Sequence, residues 1–177
     1  ATIAPRIFGG TLATADAVWD QLIELVPKDD EFRQDFERFE EPKAPRARWL
    51  LRELEVQRWK QLHPGKTPQL QPIVDPDKVN LEHILPKKPD ASWNDVLNKD
   101  PDLLFEYRDR IGNLCLLDKP SNKKEASKSY AHKRASYEDS DLVLTREVST
   151  SFPQWDRSAI DERQKKFAGL AISAWPR

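Results

Sequence analysis

Glu82 and His83 lie in a short, largely apolar run from Leu81 to Pro86, and Ile111-Gly112-Asn113-Leu114 and then Asn122 follow downstream. An imidazole that titrates near neutrality can take a proton from water. A carboxylate and an amide oxygen are hard ligands suited to a divalent cation such as magnesium or manganese, and a second amide can hold a loop rigid. Hydrolysis of a phosphodiester at a single metal needs a base, a cation for the developing charge, and fixed placement of both. On this reading His83 is the base, Glu82 and Asn122 hold the cation, and Asn113 aligns the loop and the second ring nitrogen of His83. One condition is attached. Neighbours on a regular strand face opposite ways, so Glu82 and His83 can share a site only if the strand bends or bulges where it ends.

The elements that must position these residues can be read from spacing. Val18, Leu22, Leu25 and Val26 recur at helical intervals behind a cap at Thr14 or Asp16. Phe32, Phe36 and Phe39 mark a second helix over 29–39, with acidic residues at its positive end. After Pro42 and Pro45, Ala47, Leu50, Leu51 and Leu54 define a third helix that also carries Trp49 and Trp59. The Pro-rich stretch from His63 to Pro76 reads as a loop and an internal boundary, dividing a helical part, 1–75, from a second part, 76–177. In the second part, 79–85 and 111–117 are strand candidates, separated by one or two short helices around Trp93, Val96, Leu97, Leu103 and Tyr107. Residues 122–137 lack Pro and Gly and predict one helix capped by Ser121 or Asn122. Leu142 to Val148 is compatible with a strand or a short helix. Ser158 to Asp161 resembles a capping box for an amphipathic terminal helix through Phe167, Leu170 and Trp175. The fold class expected is α+β, mainly helical.

Composition sets bounds. The 177 residues fit one domain with an adequate core, and six Trp, seven Phe and three Tyr supply aromatic mass for it. A mean hydropathy of -0.77 and 33% charged residues indicate a heavily solvated surface. The net charge of -1 means that affinity for nucleic acid must come from a local patch. The single Cys115 excludes an internal disulfide and a cysteine-based zinc site, and points to a reducing, cytoplasmic setting. No apolar segment approaches a membrane span. The absence of any Met suggests the excised end of a longer polypeptide.

Taken together, Leu81-Glu82-His83-Ile84-Leu85-Pro86, Ile111-Gly112-Asn113-Leu114-Cys115-Leu116-Leu117, Asn122, Lys133 and Tyr137 resemble the C-terminal HNH (ββα-metal, or His-Me finger) domain of GmrSD-type, modification-dependent type IV restriction enzymes. The chain is also similar to the C-terminal domain of SspE-type phosphorothioation-dependent antiphage effectors. The resemblance implies a DNA endonuclease or nickase in which Glu82 takes the acidic metal position, His83 that of the general base and Asn113 that of the motif asparagine. It further implies an upstream domain of the same polypeptide that hydrolyses nucleotide and senses DNA modification. Relatives often carry an asparagine near the position of Ser127. That departure leaves the helix-borne ligand open between Asn122, Ser127 and His132.

Lys119, Lys123, Lys124, Lys128, Lys133 and Arg134, opposed only by Glu125, suggest a helix face that binds the phosphate backbone of DNA without reading sequence. Plainer readings stand beside these: a hydrogen-bonded imidazole at a strand end, Asn113 as a turn former, Asn122 as a helix cap, and the basic run as a solvated face. A catalytically inactive DNA-binding or partner-docking module is the alternative to a nuclease.

Overall fold

In the computed structural model, residues 3–68, 79–118 and 127–177 are described. Helix α1 (Ile3–Phe8) leads to α2 (Ala15–Leu22), whose cap Thr14 accepts a hydrogen bond from the Ala17 amide at 3.2 Å. Helix α3 (Asp29–Phe36) stops short of Phe39 because the backbone there serves other partners. The Phe36 and Phe39 carbonyls accept from the Gln164 side chain at 2.6 and 3.1 Å. Helix α4 (Ala44–Leu62) takes Pro45 in its first turn, where a missing N–H costs nothing, and buries Ala47, Leu51 and Leu54. The pattern of apolar residues thus reads correctly as helix, while the boundaries answer to tertiary contacts.

Strand β1 (Val79–His83) and strand β2 (Leu114–Asp118) form a two-stranded antiparallel sheet in continuous register, Glu82 opposite Cys115 and His83 opposite Leu114. Between them come a 3-10 turn (Ala91–Trp93), α5 (Asn94–Lys99), α6 (Leu103–Tyr107) and a second 3-10 turn (Ile111–Asn113). The expected second strand therefore begins three residues later than its apolar pattern suggested. Arg163 and Gln164 account for this: Arg163 donates to the Gly112 and Leu114 carbonyls, both at 2.7 Å, and Gln164 accepts from the Gly112 amide.

Helix α7 (Tyr130–Glu138) starts well after Asn122, capped by Ser129, which accepts from the His132 amide at 3.3 Å. Ser127 and Lys128 precede it outside the helix, and the expected caps Ser121 and Asn122 lie outside the described residues. Helix α8 (Val143–Ser151) settles the ambiguous 142–148 stretch. Its first turn is held from α4: Glu55 accepts from the Val143 and Leu144 amides at 2.6 and 2.9 Å. Helix α9 (Arg157–Ala174) is capped by Asp156, not by Ser158 as the sequence pattern suggested, and Asp156 accepts from the Ala159 amide at 3.0 Å. The result is α+β and mostly helical.

Two clusters of buried side chains flank the sheet. Cys115 and Leu117 face one, with Ile84, Leu85, Trp93, Tyr137 and Trp155. Leu114 and Leu116 face the other, with Phe36, Leu51, Leu54, Ile111 and Phe167. The second draws on both sides of the Pro-rich stretch, so 29–62 and the later elements share a core. Each large apolar side chain buried this way contributes about 1.5–3 kcal/mol. Among the described residues no helix is long and apolar enough to cross a membrane.

Gly112 is where α9 comes closest to the loop. A Cβ there would lie 2.6 Å from the Ile160 carbonyl oxygen and 2.9 Å from Gln164 Oε1. The obstacle is backbone, which cannot swing aside, so Gly112→Ala should lower stability by about 1–3 kcal/mol. A denaturant midpoint equal to that of the unsubstituted protein would show that the loop and α9 separate easily.

Candidate active site

His83 ends β1, and directly opposed residues of an antiparallel pair share a face, so it lies on the Leu114 side of the sheet. Its side chain is 13% exposed, and Nε2 is 3.2 Å from Asp109 Oδ1. The other carboxylate oxygen of Asp109 accepts from Arg108, Nε at 3.0 Å and Nη2 at 2.9 Å. Burial works to raise the Asp109 carboxyl, but the hydrogen bonds from Arg108 and His83 outweigh it and hold the group below the usual carboxylate range. Burial pushes His83 down to about 4, against the hydrogen bond to Asp109 and with the charges of Lys87 and Lys133 adding to the fall. At neutral pH the ring is therefore unprotonated.

That shift has a consequence for stability. The unfolded imidazole, near 6.5, gains its proton before the folded one, so the contribution of His83 is complete above that pH. It is lost as pH falls through about 4, a change of up to about 3 kcal/mol. Melting temperatures across this range should fall more steeply for the unsubstituted protein than for His83→Gln. Parallel curves would rule out a buried neutral imidazole.

Glu82 lies on the opposite face. It is 3% exposed and meets the Lys133 ammonium at 2.5 Å, with the Tyr137 hydroxyl 3.4 Å away. Lys133, 0% exposed, also donates to the His83 carbonyl at 2.7 Å. The strand runs in register through this point, so the bend that would bring Glu82 and His83 to one site is absent and the two side chains part. Lys133 accordingly lies inside the molecule, joining α7 to the end of β1, rather than on a DNA-facing surface.

Asn113 is 0% exposed and closes the loop. Its Oδ1 accepts from the Leu85 amide at 2.8 Å and from Trp155 Nε1 at 3.0 Å, and its Nδ2 donates to the Leu85 and Arg108 carbonyls at 3.1 and 2.9 Å. The Asn113 carbonyl accepts from the Ile84 amide at 3.0 Å. Asn113 thereby fixes the chain on both sides of the site, while the ring of His83 is held by Asp109 instead. Asp109, Trp155, Arg163 and Gln164 were not singled out from the sequence. The only local signal was a lone acid between Arg108 and Arg110, just ahead of Ile111-Gly112-Asn113.

Of the remaining candidates, Ser127, Lys128, His132 and Arg134 are exposed, and Arg134 donates to the Ser149 carbonyl at 2.7 Å. Lys119, Asn122, Lys123 and Lys124 lie outside the described residues. The predicted cation site can be tested on the donors that remain. Glu82 does not fit, because its carboxylate is buried and neutralised by Lys133. Among the described residues no three His, Cys, Asp or Glu side chains gather in a way that could hold a metal ion.

The whole is a helical domain built around a strand, strand, helix unit that carries a held, neutral histidine at a strand end. Residues 26–170 match the family described as GmrSD restriction endonucleases, C-terminal domain, and the chain belongs to that family. Membership makes it a domain associated with restriction endonucleases. No curated protein gives a significant match to the chain.

Proposed function

We propose that the chain is the DNA-cleaving domain, of HNH type, of a modification-dependent restriction or antiphage system, with His83 as its general base. The observation that carries this reading is the half-buried imidazole of His83 at the end of β1, its Nε2 3.2 Å from Asp109 Oδ1, in a chain of this family. His83 takes a proton from water as the hydroxide adds to phosphorus. The bond from phosphorus to O3′ breaks, and the departing oxygen takes a proton from solvent. Asn113 supports the loop without touching substrate. Exposed Lys87, Arg108, Lys128 and Arg134 supply cations for the phosphate backbone. The upstream nucleotide-hydrolysing, modification-sensing domain and the phosphorothioate signal belong to the same proposal.

Magnesium or manganese is the cation such a nuclease is expected to use, but the donor set predicted for it is not assembled by Glu82. No step above therefore runs through a metal. The ion pair between Glu82 and Lys133 is also the one observation that favours the alternative, a DNA-binding module without catalysis. Conversion of supercoiled plasmid to nicked circles, with magnesium and with manganese, by the chain and by His83→Ala, separates the two. Equal rates for the two proteins, or no nicking by either, would reject His83 as the base.

A further inference from the structure

We propose that Asp109 is a positioning residue that selects the ring tautomer of His83, so that Nδ1 is the atom that receives the proton. This rests on the reading of His83 as the base. The carboxylate of Asp109 divides its oxygens, Oδ2 to the Arg108 guanidinium and Oδ1 to His83 Nε2. A carboxylate held by a guanidinium is an acceptor only, so the hydrogen of that contact belongs to Nε2. A neutral imidazole carries one N–H, and the lone pair then sits on Nδ1. Among the described residues Nδ1 has no hydrogen-bond partner.

The segment that carries Asp109 is fixed from three directions. The Asp109 carbonyl accepts from the Glu41 amide at 2.9 Å, Arg110 forms an antiparallel bridge with Glu40, and the Arg108 carbonyl accepts from Asn113 Nδ2. The carboxylate therefore meets the ring in a geometry set before substrate arrives. When Nδ1 takes a proton from water, the hydroxide goes to phosphorus, the Nε2–H stays in place, and the new imidazolium faces the negative charge of Asp109. Lys87 and Lys133 oppose that charge, whereas Asp109 has the sign that favours the protonated intermediate.

Nitrogen NMR of the labelled chain near neutral pH reads the tautomer directly. The expected spectrum of His83 shows a protonated Nε2 and a bare Nδ1. Asp109→Leu should erase that preference and slow plasmid nicking about 10–100-fold. Asp109→Asn retains an acceptor oxygen, so it should keep the tautomer and lose less activity. An Nδ1–H tautomer in the unsubstituted protein, or an unchanged nicking rate in Asp109→Leu, overturns the assignment. Should Asp109→Leu fail to fold, the tautomer of the unsubstituted protein still decides. If His83→Ala is inactive while Asp109→Leu cleaves normally, only the positioning role falls; if His83→Ala cleaves normally, the base assignment itself is wrong.

Discussion

Truncation of His83 to alanine is expected to lower the rate of plasmid nicking by about 10²–10⁴-fold, the range that a positioned general base contributes. The fold should survive. Asp109 keeps its contacts with Arg108 when the ring is removed, the Leu85 and Arg108 backbone stays tied to Asn113, and the β1 and β2 ladder uses only main-chain groups. Circular dichroism melts run beside the assay should show a cooperative transition in both proteins. Loss of nicking with an intact melt identifies a chemical role, whereas loss of both would mean that the ring mainly supports structure. Retained nicking in a protein purified free of contaminating nuclease would show that another group activates the water.

Lys133→Met is expected to destabilise the protein by about 3–5 kcal/mol, the penalty of leaving one member of a buried ion pair without its partner. Glu82, 3% exposed, would keep a carboxylate with no counter-charge from α7, and the His83 carbonyl would lose a donor. For a chain of this length, a loss of that size lowers the melting temperature by roughly 10 °C. Glu82→Gln combined with Lys133→Met should recover much of it, because the buried carboxylate charge that faced Lys133 is gone. A surface role for Lys133 predicts the opposite pattern: weaker, salt-sensitive DNA binding with an unchanged melt. The double substitution also bears on catalysis. If it folds and still nicks, the charge of the Glu82 carboxylate is not needed to hold a cation.

Much of the architecture was legible in the chain. Helical spacing of Phe32 and Phe36, and of Ala47, Leu51 and Leu54, placed α3 and α4 and named their buried faces, because a helix repeats its environment every three to four residues. The run ending at Pro86 marked β1, and Asn113 was recognisable as a residue that ties the loop. Boundaries were less legible. Helix α7 begins at Tyr130 because Ser129 supplies the cap, and β2 begins at Leu114 because Arg163 and Gln164 capture Gly112 from α9. Such competition between partners far apart in the chain leaves no periodic trace.

By itself, the order of residues determined that a histidine would lie near the end of a strand, which its pattern ran to Leu85 and the structure stops at His83, beside a loop tied by Asn113 in a mostly helical setting. Only the tertiary structure decided which groups meet. The unbroken register of β1 turns Glu82 inward to Lys133, and packing of 108–110 against Glu40 and Glu41 brings Asp109 to His83. The physical reason is that a side chain's face follows from local backbone geometry, whereas its charge partner is selected by whichever oppositely charged group the folded chain delivers to that face.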